Sequence, residues 1–151
     1  MIISKLNLVN FRNHSKTNLE FNPHMNIIIG DNASGKTNIL ESIVVLALTK
    51  SYKNISDVDL ITFSKSKLKI KGNIRDKKIS KNLEVEITNK GKIVKLNNKR
   101  VNCLAEYVSN LKIVTFTPND LELIKGSPQI RRNLLNIQIS QLYPFYVNYL
   151  N

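Results

Sequence analysis

One octapeptide constrains this chain more than any other feature. Gly30-Asp31-Asn32-Ala33-Ser34-Gly35-Lys36-Thr37 fits the spacing G-x-x-x-x-G-K-[ST]. It lies between a continuous apolar run at residues 26–29 and a segment whose apolar residues recur with helical period. A strand that ends in a glycine turn and reopens as a helix gathers backbone N–H groups and the positive helix end at one point. That point binds phosphate. The two glycines permit the backbone conformations that turn N–H groups inward. Lys36 adds a point charge for the β- and γ-phosphates, and Thr37 adds a hydroxyl for Mg²⁺. Every residue from Gly30 to Thr37 is therefore a candidate for holding a nucleoside triphosphate.

The surrounding pattern supplies the frame. Residues 26–29 read as a strand buried on both faces. Ile39, Ile43, Leu46 and Ala47 fall at i, i+4, i+7 and i+8 and predict a helix of about fourteen residues after the loop. Residues 3–8 and 18–21 read as strands around a polar turn at residues 10–14, and Pro23 breaks the second. Residues 57–61 suggest a short helical turn. Residues 68–74, 83–88 and 93–96 predict an antiparallel meander, with a hairpin signal at residues 89–92, a turn at Asn97-Asn98, and Lys67, Lys69 and Lys71 on the outward face. Residues 103–110 look helical, and 111–116 read as another apolar strand. A turn at residues 118–120 precedes a helix start at Gly126-Ser127-Pro128, with Ser127 as cap and Pro128 in the first turn. Pro144 should interrupt that last helix. The class is α/β with a mixed sheet.

Composition removes several alternatives. The longest purely apolar run, residues 43–48, is far too short to span a membrane. Met1-Ile2-Ile3-Ser4-Lys5 shows no secretory signal. A single cysteine, Cys103, excludes an internal disulfide and a cysteine-cluster zinc site, and His14 and His24 leave little for histidine metal chemistry. These features suggest a cytoplasmic protein. Charge is the positive clue. The net charge is +12, and residues 50–100 hold 15 basic against 5 acidic groups, so ten of those charges lie in the middle third. That concentration favours a polyanion such as nucleic acid. A solvated lysine-rich face remains the alternative reading.

Four stretches carry a family resemblance. They are Leu6-Asn7-Leu8-Val9-Asn10-Phe11-Arg12-Asn13-His14, residues 28–48 through Asn38-Ile39-Leu40-Glu41, Phe116-Thr117-Pro118-Asn119-Asp120-Leu121, and Leu123-Ile124-Lys125-Gly126-Ser127-Pro128 running into Arg131-Arg132. Together they resemble the amino-terminal part of the RecF family, ABC-type P-loop ATPases related to SMC-like heads. The resemblance implies that residues 1–151 form the amino-terminal lobe of such a head, with ATP and Mg²⁺ as cofactors. It implies ATP-dependent binding of single-stranded or gapped DNA in replication and recombinational repair, a role in the SOS response, an ATP-dependent homodimer, RecO and RecR as partners, and no membrane. Residue by residue, it places Arg12 and Asn13 in a turn that lies against the nucleotide. It places Asn119 where relatives have a glutamine that reaches the metal, although asparagine shortens that arm. Arg131-Arg132 could touch DNA phosphate or simply be exposed.

ABC-type hydrolysis also needs a serine-glycine-glycine signature helix from a partner head and an apolar strand ending in an acidic pair. No two of the five glycines are adjacent, and no such acidic pair is found. The family implies a protein more than twice this length. The expectation is a lobe that binds ATP without efficient hydrolysis. Another SMC- or ABC-type head and a small P-loop kinase are the alternatives. No substrate-binding set or lid for a kinase is visible in the sequence.

Overall fold

Alternation of apolar and polar residues builds a six-stranded sheet. The computed structural model describes residues 1–53, 55–77 and 79–150, apart from the side chain of Asn119. The strands are β1 (Ile2–Phe11), β2 (His14–Glu20), β3 (Lys67–Asp76), β4 (Ile79–Thr88), β5 (Gly91–Leu96) and β6 (Lys99–Arg100). Their spatial order is β2-β1-β3-β4-β5-β6, and every neighbouring pair is antiparallel. From β3 onward the chain meanders strand to next strand, as the turn residues predict. A bulge between Ile3 and Lys5 shifts the register of β1 on β3.

Period-2 patterning makes one face apolar. Leu6, Leu8, Leu68, Ile70, Ile74, Leu83, Val85, Ile87 and Val94 point to that face and are buried. The helix α1 (Lys36–Leu48) packs across them through Ile39, Val45, Leu46 and Ala47. Ile43, expected on the buried stripe, is only half-buried and packs at the margin of the central cluster, which Val45 enters instead. Gly72 of β3 lets α1 come this close: a Cβ there would lie 2.3 Å from Leu46 Cδ2. Gly72→Ala should therefore destabilise the fold by about 1–3 kcal/mol through overpacking, read as a lower urea midpoint with unchanged slope.

The last third of the chain covers the edge of this core. Its elements are α2 (Leu104–Val108), α3 (Glu122–Lys125) and α4 (Pro128–Leu142), with 3₁₀ turns at Pro118–Leu121 and Pro144–Tyr149, while a further 3₁₀ turn, Asp57–Leu60, lies between α1 and β3. Tyr107 of α2 is fully buried, and its hydroxyl donates to Leu46 O at 2.8 Å. Burial, with the Glu84 charge adding to it, raises this phenol far above its ordinary range, so it stays a donor. Ser127 takes the expected extended N-cap conformation before Pro128 but makes no side-chain cap bond. Among the described residues no helix is long and apolar enough to cross a membrane.

Two expected strands are not strands. Residues 26–29 and 111–116 run without ladder partners, and Ile27, Ile29, Val114 and Phe116 are 75%, 88%, 86% and 89% exposed. An apolar run becomes a buried strand only where a neighbour offers backbone groups and a second layer covers it. The six antiparallel strands pair among themselves, and neither run joins an edge of their sheet. The sheet is consequently antiparallel throughout the described residues. One side chain does substitute for a missing neighbour. Gln141 of α4, buried, accepts from Ile113 N at 2.7 Å and donates to Ile113 O at 3.2 Å.

Candidate functional site

The octapeptide folds as a loop feeding α1. Gly35 forms the helix N-cap at φ 100° and Ala33 adopts φ 64°, the left-handed region that turns successive N–H groups to one side. Ser34 N–H donates to Asp31 O at 3.2 Å, and Ile39 N–H donates to Gly35 O at 3.1 Å to open the helix. No acidic residue lies in the first turn of α1, so nothing there offsets its positive end. Lys36 Nζ reaches back across the loop and donates to Gly30 O and Asp31 O, both at 2.7 Å. Thr37 follows, exposed on the first turn. The eight predicted residues thus form one loop, with the Lys36 ammonium folded back onto its carbonyls.

The turn between β1 and β2 backs this loop. Asn38 Nδ2 donates to Asn13 Oδ1 at 2.9 Å, and Asn13 Nδ2 lies 3.5 Å from Ala33 O. His14 Nε2 stands 3.2 Å from Gly35 O and its Nδ1 stands 3.0 Å from Thr17 Oγ1. A carbonyl can only accept, so the tautomer assigned by this network carries its proton on Nε2. The fit is tight: a Cβ on Gly35 would come within 2.6 Å of His14 Nε2 and 2.7 Å of Asn13 Oδ1.

Arg12, expected in the turn against the nucleotide, pairs with Glu41 of α1. Its Nη2 donates to Glu41 Oε1 at 2.9 Å and its Nε to Glu41 Oε2 at 3.2 Å, while Nη1 donates to Asp59 O at 3.0 Å. Glu41 is fully buried on α1, and its remaining acceptor sites are filled by Ser51 Oγ at 2.6 Å and Lys53 Nζ at 3.1 Å. A carboxylate removed from water demands such partners, and the guanidinium fork matches it. Burial pushes the Glu41 carboxyl up, but the hydrogen bonds from Arg12, Ser51 and Lys53 and the Arg12 charge outweigh that and hold it below its usual range. Glu41 is the residue that sequence reasoning passed over as part of a motif continuation. Its signal was a carboxylate beside the apolar stripe of a helix.

The other candidates separate. The side chain of Asn119 lies outside the described residues. Arg131 Nη1 donates to Leu123 O and Gly126 O at 3.1 and 3.0 Å, bracing the α3–α4 junction, while Arg132 is exposed. Lys67, Lys69 and Lys71 lie on the sheet face away from α1, as expected.

Comparison with known proteins agrees with this geometry. The AAA domain family profile matches residues 5–148. The DNA replication and repair protein RecF of Listeria monocytogenes is 44% identical over the whole chain, and that of Bacillus cytotoxicus 43% over 97% of it. The chain spans 41% and 39% of the length of these two curated relatives. A solved structure described as the recombination mediator protein RecF-ATPrS in the RecFOR pathway superposes with TM-score 0.92 at 31% identity, covering 99% of this chain and 41% of that one. A structure from work on ATP-driven dimerization of SMC ATPases superposes with TM-score 0.70 at 22% identity, a likeness of fold. The chain belongs to the AAA domain family, and the relatives it resembles there are RecF proteins.

Proposed function

We propose that this chain is the amino-terminal lobe of a RecF-type head, with Gly30 to Thr37 as its ATP cradle, and that the protein carrying it binds DNA in replication and recombinational repair under control of that nucleotide. The observation that carries the reading is the loop itself, with Gly35 left-handed and Lys36 Nζ held at its mouth 2.7 Å from two loop carbonyls. On nucleotide entry Lys36 exchanges those carbonyls for phosphate oxygens, a charge-assisted contact stronger than the neutral one. Mg²⁺ fits the same mouth. Among the described residues no cluster of three His, Cys, Asp or Glu could hold a metal, so the cation would take Thr37 Oγ1, phosphate oxygens and water, a set that suits Mg²⁺.

The rest of the cycle calls for groups beyond these residues. The unpaired apolar runs at 26–29 and 111–116 support a longer protein in which further strands complete the sheet beside the cradle. ATP-dependent dimerisation, single-stranded or gapped DNA as target, RecO and RecR as partners, the SOS role and a cytoplasmic location belong to this same reading, as does weak hydrolysis that needs a partner head. The test is titration of the natural-length protein with ATP and Mg²⁺, followed by DNA binding with and without ATP. Nucleotide-dependent DNA binding that Lys36→Ala removes is the expected result. DNA affinity indifferent to both ATP and Lys36→Ala would overturn the reading.

A further inference from the structure

The β1–β2 turn is held more firmly than a hairpin turn needs. Phe11 pairs with His14, which leaves Arg12 and Asn13 as a two-residue loop. Arg12 sits at φ 54°, a left-handed conformation that a long side chain seldom adopts. Backbone in such a region persists only where its surroundings over-determine it, and it gathers beside ligand sites. Arg12 N–H donates to Leu60 O at 2.8 Å, and Thr62 Oγ1 donates to Arg12 O at 2.7 Å. The guanidinium adds its bonds to Glu41 and Asp59 O. The residue that this fixed turn presents to the octapeptide is His14.

Both ring nitrogens of His14 are occupied. With the proton on Nε2, Thr17 Oγ1–H donates to Nδ1 at 3.0 Å and Nε2–H donates to Gly35 O at 3.2 Å. The half-buried ring therefore keeps no free polar atom for a ligand. What it touches is the peptide between Gly35 and Lys36. Gly35 O also accepts from Ile39 N–H at 3.1 Å, so both of its lone pairs are used. The other end of that peptide is the Lys36 N–H, a donor in the first turn of α1, where no side chain caps the helix. A carbonyl that accepts a hydrogen bond polarises its own peptide and makes the attached N–H a stronger donor. The Thr17 hydroxyl, the His14 imidazole and the Gly35–Lys36 peptide thus form one chain of donors that ends at the cradle.

We propose that His14 is a positioning residue for the phosphates: through Gly35 O it fixes the Gly35–Lys36 peptide and strengthens the Lys36 N–H as a donor to phosphate oxygen, with Thr17 setting its tautomer. The proposal rests on the ATP-cradle reading and adds a residue outside the octapeptide that tunes it. His14 acts without touching the nucleotide. Its effect therefore falls on any polyphosphate, whatever base is attached.

The test uses the natural-length protein and two probes, ATP with Mg²⁺ and inorganic tripolyphosphate, each competed against a fluorescent nucleotide. His14→Ala should weaken both alike, about fivefold, the factor that matches the net worth of one hydrogen bond. His14→Gln keeps a donor at the ε position and should recover most of that loss. Thr17→Val keeps the side-chain shape without the hydroxyl, should fall between, and carries the comparison where His14→Ala melts early. In the free protein, labelled with ¹³C at glycine carbonyls and ¹⁵N in lysine, the Lys36 amide nitrogen should move upfield in His14→Ala and stay in place in His14→Gln. The Gly91-Lys92 pair is the internal reference. Wild-type affinity in His14→Ala, or in Thr17→Val where His14→Ala does not fold, overturns the role of His14 and leaves the cradle standing. So does an equal loss in His14→Ala and His14→Gln, or a loss for ATP that tripolyphosphate does not share. Failure of the wild type to bind either probe overturns the cradle itself, and this proposal with it.

Discussion

Glu41→Ala is expected to cost about 3 kcal/mol of folding stability, read as a fall in the denaturant midpoint. The carboxylate is fully buried, and its removal strands Arg12 and Lys53 together with the Ser51 hydroxyl. The figure sits at the lower end for breaking a buried pair because the side chains of Arg12 and Lys53 stay 22% and 37% exposed and recover some hydration. Glu41→Gln should cost less, since an amide oxygen still accepts from Arg12. The pH dependence has a definite sign. The Glu41 carboxyl sits below its unfolded value in the native state, so its contribution is complete above the ordinary glutamate range and fades as pH falls through the native value. Wild-type stability should therefore decline on acidification from about pH 4 downward, and Glu41→Gln should flatten that decline. A variant as stable as wild type at pH 7 would refute the account.

Gly35→Ala is the second large effect, and it acts on the cradle. At φ 100° an L side chain is strained by about 1–2 kcal/mol, and the new Cβ would press on His14 and Asn13 at 2.6 and 2.7 Å. Relief requires the turn behind the loop to withdraw or the loop N–H groups to rotate, and either spoils the anion nest. ATP affinity should fall at least as far as in Lys36→Ala, which loses a charge-assisted contact of about 1.5–3 kcal/mol, or roughly ten- to a hundred-fold. Competition with a fluorescent nucleotide measures both. Equal ATP affinity in Gly35→Ala and wild type would show that the nest does not hold the phosphates.

The division between what could be read in advance and what could not follows locality. The octapeptide, the helix after it and the β3–β5 meander were legible because each is set by neighbours within a few residues: glycine conformations, a 3.6 period, a 2.0 period and a hairpin turn. Residues 26–29 misled for the opposite reason. Their composition is that of a doubly buried strand, yet a strand exists only where another segment pairs with it. Arg12 was legible in part. Its place beside the cradle was legible, but its choice of Glu41, 29 positions away, depended on which buried charge lacked a partner.

The sequence alone determined that a glycine loop of phosphate-loop spacing opens an amphipathic helix, and that an excess of cations is carried by a β-rich middle third, since both are written in spacing and alternation. Only the tertiary structure decided which cations remain available. Strand register set Lys69, Lys71 and Lys95 around Glu84, and helix packing buried Glu41 against Arg12, because the energy of a charge is fixed by what surrounds it in space and not by its place along the chain.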